Sequence, residues 1–178
     1  EVLSILNANL LKADVTLTFV FESGSSYRHT VSVAARSRRD VDLATLTGFP
    51  VGQPYSVSFQ SNIPISITVP TFAFNEAEGS SFTGESHTFW VFGDGFRPAG
   101  QTSQVTEYLR LYNPSSEAAL VEITINYTDG VKETFRRTMN ARAANEVNVH
   151  DLIAIDRRDS DAFYGITLKS ATGFVAYE

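Results

Sequence analysis

The chain repeats itself, and that constrains its fold more than any composition does. Residues 1 to 43 align without a gap onto residues 107 to 149, each falling on the residue 106 positions later. At that offset Glu1, Leu3, Asn7, Ala13, Val15, Thr18, Gly24, Ala35, Arg36 and Val41 meet identical residues, and most other pairs keep their polarity. A second block follows at an offset of 109: Tyr55, Val57, Phe59 and Ser61 fall on Tyr164, Ile166, Leu168 and Ser170, so the intervening loop is 3 residues longer in the second copy. One structural unit is present twice. In a chain of 178 residues each copy is near the size at which a single core supports itself, so two small domains are expected.

Within each copy the apolar residues recur with period two. Val15, Leu17, Phe19 and Phe21 alternate with Thr16, Thr18 and Val20, as Val121, Ile123, Ile125 and Tyr127 alternate with Glu122, Thr124 and Asn126. Such alternation marks a half-buried strand. Both runs end in a hairpin signal, Glu22-Ser23-Gly24 and Thr128-Asp129-Gly130, where glycine supplies the positive φ of a tight turn. Returning strands are expected near 27–34 and 133–140, opening strands at 2–6 and 108–112, and short strands at 39–43 and 145–149. Closing pairs are expected at 55–60 with 64–69, and at 164–169 with 173–177. One helical turn is possible around 150–155. The pattern predicts an all-β protein: two tandem immunoglobulin-like antiparallel β-sandwich domains arising from an internal duplication.

The expected boundaries are 1–74 for the first sandwich, 75–86 for a polar linker without periodicity, and 87–178 for the second sandwich. The second copy is preceded by an aromatic strand, Thr88 to Phe92, ending at Gly93-Asp94-Gly95, which reads as a turn; the first copy lacks that strand. The missing strand predicts an open edge at Val2, Leu3, Ser4, Ile5 and Leu6, and makes Phe89, Trp90, Val91 and Phe92 a candidate donor or interface strand. Two alternatives stand beside this: the strand lies in sequence upstream of residue 1, or Phe72 to Asn75 folds back over the edge.

Chemistry is sparse. His29, His87 and His150 have no metal-ligand spacing, and no nucleophile elbow, phosphate loop or dinucleotide fingerprint occurs. Catalysis is therefore not expected. Absence of cysteine rules out disulfides and thiolate metal sites. No cofactor is expected, the weak exception being Ca²⁺ at Asp156, Asp159 and Asp161, whose charge Arg157 and Arg158 partly cancel. A net charge of −6 argues against nucleic acid as a partner, and the basic pairs among Arg36, Arg38, Arg39, Arg136 and Arg137 have acidic neighbours, as a solvated strand face does. No apolar run reaches the roughly 18 residues of a membrane span. Without an initiator Met or a leader, the chain reads as a processed protein or an excised segment. Trp90, Tyr108 and Tyr112 could stack on a sugar ring, although core packing is the simpler reading of such aromatics.

The FWVFGDGF segment, the run EYLRLYNPSSEAALVEITINYTDG and the closing YGITLKSATGFVAYE together resemble tandem β-sandwich repeats of bacterial secreted and cell-surface proteins. The resemblance covers nearly all of the second copy and, more weakly, the first, where Asn7-Ala8 stands in place of Asn113-Pro114. It implies display outside the cell, and adhesion or matrix assembly through self-association or neighbouring surface-protein domains. It supplies no catalytic residues. The expected function is accordingly structural or adhesive, as a subunit of a filament, sheath or surface layer. The alternative is a carbohydrate-binding module of a larger secreted enzyme or adhesin.

Overall fold

The computed structural model describes residues 1–73, 76–82, 85–99, 107–153 and 161–178. Among the described residues it is all-β apart from a 3₁₀ turn at Leu43–Thr45 and an α-helical turn at Val149–Leu152, and nine of its strand pairs are antiparallel. Packing divides it into two units. Glu1–Val20, Ser26–Gln53 and Val57–Gly84 form the first; Phe21–Ser25, Pro54–Ser56 and Glu85–Glu178 form the second.

The N-terminal strands are β1 (Val2–Asn7), β2 (Ala13–Phe21), β3 (Ser26–Val33), β4 (Ser37–Asp42), β5 (Tyr55–Ser61), β6 (Ser66–Ala73) and β7 (Glu76–Ser81). They make two sheets, ordered β4-β1-β6-β7 and β3-β2-β5. Leu3 and Ile5 from β1 and Val15, Leu17 and Phe19 from β2 are fully buried, and Phe19 meets Phe49 edge-on at 5.0 Å. The apolar members of each alternation thus form the core, as period two requires.

The C-terminal strands are β8 (His87–Arg97), β9 (Tyr108–Asn113), β10 (Ala119–Tyr127), β11 (Lys132–Met139), β12 (Ala143–Asn148) and β13 (Ala162–Tyr177), with the turn α1 (Val149–Leu152) between the last two. The long β13 serves two ladders. Its first half pairs with β10 and β8, its second half with β9, and β9 pairs with β12. Val121, Ile123, Ile125, Leu168 and Phe174 are among the buried residues between them.

The two halves repeat their backbone bonding as well as their letters. Asn7 and Asn113 are both fully buried. Asn7 Nδ2 donates to the carbonyls of Leu11, Val33 and Ala34, and Asn113 Nδ2 to those of Glu117 and Asn140. Each Oδ1 accepts an amide two residues on, from Asn9 or Ser115, at 3.0 Å. Arg36 and Arg142 both take left-handed φ values, 50° and 49°, with their amides on the carbonyls of Asn9 and Ser115. The hairpin glycines behave as expected, with φ of 79° at Gly24 and 86° at Gly130.

Four expectations are corrected. Val2 to Leu6 is not an open edge: Ser4 pairs with Asp40 on one side and Thr68 on the other, so both edges of β1 are occupied. The expected linker holds β7, whose backbone pairs with β6 from Thr68↔Ser81 to Ala73↔Glu76. Gly93-Asp94-Gly95 does not end the aromatic strand, because β8 continues through it to Arg97 with one extra residue against β13. The expected strands 164–169 and 173–177 are one strand, bent where β8 skips from Lys169 to Phe174. In the first unit Pro64, which has no amide to give a ladder, stands in the corresponding gap between β5 and β6.

Candidate functional site

The contrast of interest lies between two corresponding strands, β5 and the first half of β13. In the second unit β8 lies alongside β13, pairing Phe92 with Ile166, Trp90 with Leu168 and Gly95 with Tyr164. Ile166 and Leu168 are 1% and 0% exposed. In the first unit Val57 and Phe59 hold the matching places, yet β5 ends its sheet and both side chains are only half-buried. Phe59 meets the ring of Phe82 at 5.2 Å. Among the described residues no strand other than β2 pairs with Val57–Ser61.

Local chemistry explains why β8 seats so firmly. A Cβ on Gly95 would run into the ring of Tyr164, so only glycine lets that ring lie flat against the neighbouring backbone. Trp90 faces inward, where its Nε1 donates to the Phe174 carbonyl at 3.0 Å and its ring meets His87 edge-on at 5.2 Å. Phe89 and Val91 face outward and are 54% and 62% exposed. Phe163 joins them on that face, stacked on Phe96 at 4.7 Å. Beyond β13, no strand pairs with β8 among the described residues. Neither edge carries the lysine or proline that usually guards an exposed strand.

The aromatic residues considered for sugar stacking are not one platform. Trp90 packs against the core from β8, whereas Tyr108 and Tyr112 lie on β9, in a different ladder, with Arg110 between them and Leu109 and Leu111 pointing inward. Arg110 Nε is 3.2 Å from Glu146 Oε2. Of the Ca²⁺ candidates, Asp156 and Asp159 lie outside the described residues, and Asp161 accepts the Ala99 amide at 2.8 Å. No group of three or more potential metal ligands occurs among the described residues. No helix among them is long and apolar enough to cross a membrane. The basic pairs sit beside acids as expected, with Arg38 Nε 2.8 Å from Asp40.

One cluster escaped the sequence reading. Tyr164 donates its hydroxyl to Glu107 Oε2 at 2.7 Å, and burial, followed by the bond and charge of Glu107, pushes its ionisation upward. Burial, followed by Glu107 and then Asp94, pushes the Glu178 carboxyl up to about 8. These acids are more than 70 positions apart at their extremes, so no spacing motif announces them. Arg97 and His150 are also buried, at 1% and 6% exposure. The β5 edge, by contrast, left a trace in the sequence: Val57 and Phe59 align with the strand that β8 covers, but which strand β8 covers is a matter of pairing.

No family profile and no curated protein matches the chain. Among solved structures it is similar to the Anabaena sensory rhodopsin transducer, at 27% identity and a TM-score of 0.44, over 52% of this chain and 95% of that one. It is also similar to a Thermotoga maritima protein, 1070, at 22% identity and a TM-score of 0.43, over 51% of this chain and 77% of that one. Its own antiparallel sheets and their buried inner faces make the chain an all-β protein of β-sandwich type.

Proposed function

We propose that the chain is a non-catalytic structural or adhesive protein of the cell exterior, two immunoglobulin-like sandwiches related by duplication, acting as a self-assembling subunit of a surface filament, sheath or layer. The observation that carries this reading is the unequal treatment of two matching strands. The second unit completes its sheet with β8, and the first leaves Val57 and Phe59 half-buried at a sheet edge. Unpaired amides and carbonyls beside incompletely buried apolar side chains favour the addition of another strand. The repeated Asn7 and Asn113 networks and the matching Arg36 and Arg142 turns support descent from one ancestral module. Sedimentation velocity with negative-stain microscopy over a wide concentration range tests the reading. Ordered growth with concentration is expected; particles of one chain at every concentration would remove it.

A second reading, carbohydrate binding, draws on the outward row Tyr108, Arg110 and Tyr112, with Tyr108 38% exposed. Aromatic faces flanking a charged hydrogen-bond donor suit a sugar ring. A glycan array showing saturable binding that Tyr108→Ala abolishes would put this reading first.

A further inference from the structure

We infer that the end of the first unit formed by residues 8–12, 34–36 and 62–65 is a lipid-facing tip, which lays Leu10 and Leu11 into the interfacial layer of a bilayer containing anionic phospholipid. The contact is independent of the assembly proposed above and of the β5 edge.

Hydrogen bonds tie the three segments of the tip together. Asn7 Nδ2 donates to the Leu11 carbonyl at 2.8 Å, and its Oδ1 accepts the Asn9 amide at 3.0 Å. Asn9 Nδ2 donates to the Pro64 carbonyl at 2.6 Å, and the Asn9 carbonyl accepts the Arg36 amide at 2.9 Å. The Asp14 amide donates to Asn62 Oδ1 at 2.8 Å. These bonds turn polar groups inward and leave the side chains of Leu10 and Leu11 outside, 70% and 69% exposed. Leu6, opposite Arg38 in the β1–β4 ladder, is exposed near the same end.

The fold does not require these leucines. In the second unit the matching turn is held by the same bonds, from Asn113 Nδ2 to the Glu117 carbonyl and from the Arg142 amide to that of Ser115. Yet Ser116 and Glu117 stand there in place of Leu10 and Leu11. Charge changes in the same sense. Residues 7–14 and 33–40 carry Lys12, Arg36, Arg38 and Arg39 against Asp14 and Asp40, whereas the matching segments of the second copy carry Arg142 against Glu117 and Glu146. Lys12 and Arg38 lie 3.0 and 2.8 Å from Asp14 and Asp40, but Arg36 and Arg39 have no ion-pair partner among the described residues. A chain of net charge −6 thus keeps one cationic, leucine-tipped end.

That combination selects the occupant. Leucines on a convex turn need a partner that closes around them, which a fluid bilayer does without a preformed pocket, and exposed cations beside them gain from anionic headgroups.

Flotation with vesicles of phosphatidylcholine mixed with phosphatidylglycerol, beside vesicles of phosphatidylcholine alone, tests the contact. The unaltered chain should float with the mixed vesicles and release them at high salt. Leu10→Ser with Leu11→Ser should weaken that binding by about tenfold or more, and Arg39→Gln by about fivefold. Phe89→Ser with Val91→Ser, an exposed apolar pair elsewhere, should leave it unchanged. No flotation, equal flotation with neutral vesicles, or binding that depends on Phe89 and Val91 as much as on the leucines would overturn the inference. Self-association that the leucine variant abolishes, without flotation, would assign the tip to a second copy and overturn the lipid contact. Because the chain has no cysteine, a second measurement is independent of how serine is tolerated. A polarity-sensitive dye on Leu10→Cys should shift its emission to the blue with mixed vesicles, and the same dye on Ser116→Cys should not. An equal response at the two positions would overturn the inference.

Discussion

The two units answer the same sequence pattern differently. In the second, β13 is flanked by β10 and β8, and its inward residues are shielded to 1% exposure or less at Ile166 and Leu168. In the first, β5 has β2 on one side, and Val57 and Phe59, equally apolar and equally spaced, stay half-buried. The two strands place apolar residues at the same inward positions. What differs, among the described residues, is whether a second strand lies alongside, so the burial of a residue here is a property of the strand beside it.

The largest expected difference comes from truncating matched residues. Ile166→Ala, which opens a cavity in a closed core, should cost the second unit roughly 3 kcal/mol, whereas Val57→Ala should cost the first about 1 kcal/mol. Residue-resolved hydrogen exchange reads each unit separately, and equal losses in the two would break the comparison.

A smaller effect should be the same in both units. Asn7→Ala and Asn113→Ala each strand buried carbonyls that the amide now satisfies, and each should lower the protection of its own unit by about 2 kcal/mol. A loss in one unit only would show that the shared bonding is not a shared means of stability.

The smallest effect is confined to the second unit and depends on pH. Glu178 binds its proton more tightly when folded, up to about 8 against an ordinary 4.5, because burial and Glu107 disfavour its charge. Its favourable contribution is therefore complete below about pH 4.5 and fades as pH rises toward 8. The residue is only half-buried, so solvent screening keeps the change modest. Glu178→Gln should flatten the pH dependence of exchange in β13 and leave the first unit's β2 unaltered; an unchanged slope would show that the carboxyl has no part in it.

Much of the architecture was legible in the letters. Alternation located β1, β2, β9 and β10 to within two residues, and the glycines of both hairpins take the positive φ that the turns demand. The aromatic run ahead of the second copy's opening strand was legible too, as a strand. Its address was not. The run was expected beside the opening strand, but β8 pairs with β13, so the corresponding place in the first unit lies beside β5 and not beside Val2 to Leu6. Composition misled at 75–86, where a polar segment pairs with β6 all the same, because an edge strand needs backbone groups more than apolar side chains. Glycine misled at Gly95, where it makes room for the Tyr164 ring within a strand.

By itself the sequence determined that one residue pattern recurs along the chain, that its elements are strands, and which face of each strand is apolar. These are local properties, set by side-chain period and turn chemistry and readable in windows of about ten residues. Tertiary structure decided which strand lies beside which, where β13 bends from one ladder to the next, and that Glu107, Tyr164 and Glu178 meet. Ladder partners are chosen among segments far apart in the chain, by which pairing buries the most apolar surface while satisfying the most backbone groups, and no local window contains that choice.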